Sequence, residues 1–128
     1  MLLLHMSGCS APTMAAQKAT TINEFRTGNG LAPLRSDPKL VTLAQAHAED
    51  MARRSTMDHA GFFEHRGPAG ARAENVLYGC KTSECTIQQW INSPGHRANM
   101  LLADVKTYGL ASAKSKSGTE YWALELGK

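Results

Sequence analysis

The chain has 128 residues, of which 42% are hydrophobic and 20% charged, and its formal net charge is +3. This size and composition predict one folded domain with an ordinary core, and they exclude a disordered tail and a multidomain enzyme. The cations form no dense stripe, which argues against nucleic acid as a partner, and no apolar run approaches the ~20 residues of a transmembrane helix.

The first segment, residues 1–12, is predicted to be a tail because it shows no periodicity. Its letters MLLLHMSGCS resemble the end of a bacterial lipoprotein signal, in which Cys9 would carry the lipid and anchor the protein to a membrane. The basic region that begins such signals is missing and the apolar stretch is short, so a chance resemblance is the alternative. We therefore divide the chain into a tail over 1–12 and a single domain over 13–128.

Two helices are predicted in the first part of the domain. The first begins at Thr13, has apolar residues near one face as far as Phe25, and ends at the Gly-Asn-Gly motif 28–30. An Asp-Pro pair at 37–38 predicts the start of the second helix. Its apolar stripe includes His47, which we interpret as a packed, hydrogen-bonded core histidine and not as a ligand.

The second part of the domain mixes loop, helix and strand signals. Residues 56–72 are rich in Gly and Pro and predict an irregular loop. One helix is predicted to begin near Ser83, and a short one after Ser93, whose place before a proline predicts a capping side chain. The alternating runs 108–115 and 121–126 predict an antiparallel hairpin. Helices followed by a hairpin indicate an α+β fold.

The two cysteines in the middle of the chain, Cys80 and Cys85, are separated by four residues. No second Cys or His pair stands at zinc-finger spacing, so a structural zinc site is not predicted. A local disulfide that closes a small loop fits better, and it implies an oxidising compartment. The alternative is a pair of free, buried thiols.

Four segments in the chain match the motifs of a known family. They are residues 22–34 (INEFRTGNGLAPL), 57–59 (MDH), 73–76 (AENV) and 90–101 (WINSPGHRANML). Together they resemble the CAP superfamily, also called the SCP domain, which groups cysteine-rich secretory proteins, antigen-five allergens and the first class of plant pathogenesis-related proteins. The WxxSPGHR form of the last segment resembles the bacterial branch of that superfamily.

This resemblance implies both a fold and a location. The fold is an α-β-α sandwich, with a small antiparallel sheet between helical layers, and the location is secreted, periplasmic or in the cell envelope. Several family members bind lipids or sterols, and no common reaction is established for the family. We therefore expect a non-enzymatic module that binds a lipid, glycan or protein partner through a cleft lined by His and Glu.

The resemblance also implies the residues of that cleft. In the family, a surface cavity carries two histidines and two glutamates, which bind a divalent metal such as zinc in some members. By motif position the histidines correspond to His59 and His96 and the first glutamate to Glu74, whereas Ser93 stands in place of the second glutamate.

Two histidines and one carboxylate are a suitable ligand set for zinc, with water in the fourth position. The alternative function is therefore a zinc-dependent hydrolase that uses His59, Glu74 and His96. In a purely structural interpretation, Glu74 accepts backbone hydrogen bonds and ties the loops together, and the histidines only line the cleft.

Overall fold

The computed structural model describes residues 17–128. The described elements are, in chain order, α1 (Ile22–Gly28), β1 (Arg35–Ser36), α2 (Pro38–Arg54), a π-helix (Phe62–Arg66), β2 (Ala71–Tyr78), α3 (Ser83–Ile91), α4 (Pro94–Met100), β3 (Thr107–Lys114) and β4 (Glu120–Gly127). The predicted tail with Cys9, and the predicted start of the first helix, lie outside the described residues.

The four described strands form one mixed sheet in the order β1-β3-β4-β2. Strands β3 and β4 pair antiparallel from Thr107 opposite Gly127 to Lys114 opposite Glu120, which is the predicted hairpin. Strand β2 pairs antiparallel with β4, whereas the two-residue strand β1 runs parallel to β3. The sheet is therefore mixed and not purely antiparallel, because the short strand β1, which precedes α2, pairs parallel with β3.

The sheet lies between two helical layers, which bury β4 on both faces. One face packs against α2 in a cluster formed by Ala44, Ala48, Met51, Ala52, Val76, Ala111, Tyr121 and Ala123. The other face packs against α1, α3 and α4 in a larger cluster that includes Ile22, Phe25, Ile87, Trp90, Ile91, Met100, Trp122, Leu124 and Leu126. This arrangement confirms the α+β class and the α-β-α sandwich.

Helix α2 lies very close to the sheet at Gly109 of β3. A Cβ atom at Gly109 would lie 2.2 Å from the backbone of Leu40 and Val41, so only glycine permits this contact. Gly109 is also the register partner of Glu125 on β4. The close approach therefore holds α2 against the part of the sheet that carries Glu125.

The outer edge of β2 is covered by side chains of α3 and α4. Trp90 Nε1 donates to the Val76 carbonyl at 3.1 Å, and Asn99 Nδ2 donates to the Glu74 carbonyl at 3.4 Å. Asn75 Nδ2 in turn donates to the carbonyl of His96 at 3.0 Å. The bonds from Trp90 and Asn99 satisfy edge carbonyls that would otherwise be open to pairing, and those from Asn99 and Asn75 fix α4 beside β2.

Three local predictions were wrong. The first helix does not run unbroken from Thr13, because the chain leaves the helical conformation before Thr21, whose hydroxyl caps α1 by accepting from the Glu24 amide at 3.1 Å. The predicted loop over 56–72 contains the π-helix. Ser93 precedes α4, but its side chain caps no backbone amide there.

The predicted disulfide between Cys80 and Cys85 is present, with the two Cα atoms 5.7 Å apart. It closes the connection between β2 and α3, where Trp122 Nε1 also donates to the Cys80 carbonyl at 2.8 Å. In the described part of the chain, no helix combines the length and the apolar character needed to span a membrane.

Candidate functional site

A pair of buried glutamates lies at the centre of the candidate site. Glu74 on β2 and Glu125 on β4 are register partners in the antiparallel ladder, so their side chains lie on the same face of the sheet. Glu125 is fully buried, and the Glu74 side chain is 2% exposed. Two ionised carboxylates on paired, buried positions of neighbouring strands would repel each other strongly. The pair therefore requires a cation, a shared proton or both.

The cation is Arg66, at the end of the π-helix. Its Nε donates to Glu74 Oε2 at 2.5 Å and its Nη2 to Glu74 Oε1 at 3.0 Å, a two-pronged pairing that matches the carboxylate geometry. The guanidinium also donates to the backbone carbonyls of Ala60 at 2.9 Å and His59 at 3.3 Å. Arg66 therefore neutralises Glu74 and fixes the segment that precedes the π-helix.

Two histidines approach the same oxygen of Glu74. His59 Nδ1 lies 2.7 Å from Glu74 Oε1, and its side chain is 53% exposed. His47 Nε2, on α2, lies 3.6 Å from the same oxygen but bonds to the Asp58 carbonyl at 2.8 Å. Burial lowers the pKa of His47, so the ring is neutral and donates to that carbonyl. His47 is the packed, hydrogen-bonded histidine that the sequence predicts.

Glu125 carries the proton of the carboxyl pair. Burial, together with the adjacent Glu74, raises the pKa of Glu125 to about 10. Neither of its oxygens accepts a hydrogen bond from the described residues, although Arg66 Nε lies 3.3 Å from Oε1 while directed at Glu74. Burial opposes the ionisation of Glu74, but hydrogen bonds from Glu125, Arg66 and His59 outweigh it and lower the pKa of Glu74. The pair thus holds one proton and one negative charge.

His96 and Ser93 form a separate contact on α4. His96 Nδ1 and Ser93 Oγ lie 2.9 Å apart, which explains why the Ser93 hydroxyl does not cap the helix. The His96 ring is half-buried, 6.4 Å from the Trp90 ring between centroids. Burial and the nearby His59 lower the pKa of His96 and keep its ring neutral. The structure therefore brings His59 and Glu74 together and places His96 with Ser93.

A cavity of about 360 Å³ opens beside this cluster. Its lining includes His59, Phe62, Phe63, Arg72, Glu74 and Asn99. Phe63 is 85% exposed and its ring meets that of Phe62 edge-on, with 5.4 Å between centroids. A second cavity, of about 440 Å³, lies between α2 and the π-helix and includes His47 and Arg66 in its wall. The buried cluster therefore contributes side chains to both cavities.

The residues present do not fit the zinc site that the family resemblance implies. Over residues 17–128, no three His, Cys, Asp or Glu side chains are grouped so that they could hold a metal ion. Independently of this, both oxygens of Glu74 already accept from Arg66 and one also accepts from His59. A metal at Glu74 would have to displace a buried guanidinium.

Sequence reasoning missed two residues of this cluster, Arg66 and Glu125. Glu125 gave one signal, since it is a charged residue inside the alternating apolar pattern of β4 on a face that proved to be buried. Arg66 gave none, because it lies in a segment rich in Gly and Pro that predicts a solvated loop.

An α-β-α sandwich with a His and Glu cluster beside its sheet is the architecture of a CAP domain. The model of the cysteine-rich secretory protein family matches residues 19–126, so the chain belongs to that family.

Two relatives come from Bacillus subtilis (strain 168). The uncharacterized protein YkwD is 32% identical over 104 residues, which cover 74% of this chain and 40% of that protein. The uncharacterized membrane protein YlbC is 29% identical over 97 residues, which cover 69% of this chain and 28% of that protein. The chain therefore spans 40% or less of the curated relatives it matches.

Two solved structures share the fold. An outer surface protein from Borrelia burgdorferi has a TM-score of 0.70 at 19% identity, over 84% of this chain and 86% of that one. An extracellular SCP-domain protein from Bacillus anthracis str. Ames has a TM-score of 0.59 at 21% identity, over 81% of this chain and 37% of that one. At these identities the likeness supports the fold alone.

Proposed function

We propose that the protein is a non-enzymatic binding module that acts in the cell envelope or outside the cell and takes its ligand in the cavity beside His59. The disulfide supports this location, because such bonds persist in oxidising compartments. Two structural neighbours, an outer surface protein and an extracellular protein, agree with this location. A lipid anchor at Cys9 belongs to the same proposal.

The observation that carries the proposal is the exposed aromatic wall of the cavity. The Phe63 ring is 85% exposed, and an apolar ring gains free energy when it is covered. Phe63 lines the cavity, so a ligand bound there would cover the ring. The cavity volume of about 360 Å³ lies within the range of about 300–1,000 Å³ that is typical of small-ligand sites. Phe63 is therefore the contact residue we expect to matter most.

The lining favours a glycan over the other two ligand classes. Beside Phe62 and Phe63 the wall carries polar side chains, namely His59, Arg72, Glu74 and Asn99. A sugar ring offers an apolar face that packs on an aromatic ring and hydroxyl groups that bond to planar polar side chains. A lipid chain offers no group that would bond to the exposed parts of His59 and Arg72. Lipid and protein ligands are the competing outcomes of the test.

We expect no enzymatic activity from this site. Glu74 is almost fully buried and its oxygens are engaged by Arg66 and His59, so it offers no free base to a substrate. The alternative zinc-dependent hydrolase requires a metal at Glu74, and the Arg66 guanidinium fills that position.

The test is a titration followed by amide NMR shifts, with three probes: an N-acetylglucosamine oligosaccharide, a fatty acid, and vesicles of anionic phospholipid. We expect the oligosaccharide to shift amides around residues 59–63 and 72–74. Phe63→Ala should weaken binding roughly tenfold, the order of one aromatic contact. The matched control is Tyr78→Ala, since Tyr78 is 57% exposed and does not line this cavity. Equal weakening by both variants, or shifts with the fatty acid or vesicles only, would contradict the glycan proposal.

A further inference from the structure

We propose that Arg66 is the built-in counter-cation of the glutamate cluster and makes this CAP cleft independent of metal. The guanidinium takes the place at Glu74 that a divalent cation would need. Both carboxylate oxygens of Glu74 point at Arg66 nitrogens, at 2.5 and 3.0 Å. The fork occupies one lone-pair site on each oxygen and His59 occupies a further site on Oε1, so little of the carboxylate is left for an ion.

Arg66 is held in that place by more than Glu74. Two of its other donors bond to the carbonyls of His59 and Ala60, and its side chain is only 9% exposed. A Cβ atom at Gly61 would lie 3.2 Å from Arg66 Nη1, so the chain leaves room for the guanidinium there. Moving Arg66 aside would leave buried carbonyl and carboxylate oxygens without donors, which makes the displaced state unfavourable.

The charges of the cluster also disfavour a zinc ion at Glu74. The guanidinium already balances the Glu74 carboxylate inside a site that excludes most water. A zinc ion added beside Arg66 would bring two further positive charges next to an unmoved cation. His59 also donates from Nδ1 to Glu74, since an ionised carboxylate only accepts, so a second donor besides Arg66 engages Oε1. The cluster therefore disfavours zinc through its charge as well as through its geometry.

The experiment is calorimetric titration of zinc into chelator-treated protein at neutral pH. We expect no saturable binding at micromolar zinc in the wild type, nor in Arg66→Lys, which retains the cation. Arg66→Gln removes the charge and frees the oxygens of Glu74, so it should gain one weak zinc site formed by Glu74 and the adjacent His59. The double variant Arg66→Gln/Glu74→Gln should lose that site again, by at least about 10- to 100-fold in affinity.

Two results would overturn the proposal. One is wild-type protein that binds one zinc ion and loses it in Glu74→Gln, because Arg66 would then not keep metal from this carboxylate. The other is a folded Arg66→Gln variant, with a wild-type circular dichroism spectrum, that gains no zinc. If Arg66→Gln does not fold, the comparison of wild type with Glu74→Gln still decides whether the native cleft takes zinc.

Discussion

Replacing Glu125 by Gln should change how the stability of the protein depends on pH. The pKa of Glu125 is raised to about 10 in the fold, mainly by burial, against an ordinary value of 4.5. Between those two values the unfolded chain releases this proton and the folded chain keeps it. Stability therefore falls as pH rises through this window. Gln has nearly the same shape and does not titrate, so Glu125→Gln should remove this loss.

The magnitude follows from linkage. One proton held by the fold and released on unfolding changes the free energy of unfolding by about 1.4 kcal/mol per pH unit. From about pH 5.5 to about pH 8.5, the wild type should therefore lose up to about 4 kcal/mol relative to Glu125→Gln. The lowered pKa values of His47 and His96 act in the other direction, since they reduce stability as pH falls below their ordinary value of 6.5. Both proteins share that effect, so it cancels in the difference.

Urea unfolding followed by circular dichroism, at a series of pH values with the disulfide intact, measures this difference. The control is Glu64→Gln, which removes an exposed carboxyl from the π-helix and should give a curve parallel to that of the wild type. The reasoning is refuted if the stability of Glu125→Gln also runs parallel to the wild type over the whole range. Such a result would mean that Glu125 is ionised in the fold.

Three further predictions concern stability. Gly109→Ala should lower the free energy of unfolding by about 1–3 kcal/mol or more, because its Cβ would collide with the backbone of α2. The control Gly95→Ala, with open space around its Cβ, should be nearly neutral. Equal losses for the two variants in urea unfolding would contradict this packing. Reducing the bond between Cys80 and Cys85 should cost about 2 kcal/mol, as a loop this short implies, and alkylation without reductant should label neither cysteine. Arg26→Met should cost about 3 kcal/mol or more, because the buried Arg26 donates to three backbone carbonyls; a loss below about 1 kcal/mol would show that water replaces it.

Local signals in the sequence correctly predicted those helices and strands that begin or end at a recognisable motif. The Asp-Pro pair at 37–38 predicts the observed start of α2, and the alternating runs predict β3 and β4. Strand β2 was not predicted, because its residues 73–76 are buried on both faces and show no alternation. Its pairing partner also lies far along the chain, in β4.

The candidate site was predictable only in part. Motif positions suggested His59 and Glu74, and the structure places these two in contact. A buried acid such as Glu125 requires a partner, but nothing local says which residue supplies it, and Arg66 lies on a different element. The hydrogen bond between Ser93 and His96 was missed because a Ser before Pro is most often a helix cap, and here the imidazole competes for the hydroxyl.

The buried cluster and the cavity beside His59 are connected through Arg66. Arg66 does not line the smaller cavity, yet it bonds to the carbonyls of His59 and Ala60, next to the two Phe residues of the cavity wall. A wall that is fixed before the ligand arrives loses less conformational freedom on binding. Arg66→Gln should therefore weaken oligosaccharide binding without any direct contact, and faster amide exchange over residues 59–63 should accompany the weakening. Unchanged affinity in a folded Arg66→Gln variant would show that the cluster stabilises the sheet and does not shape the cavity.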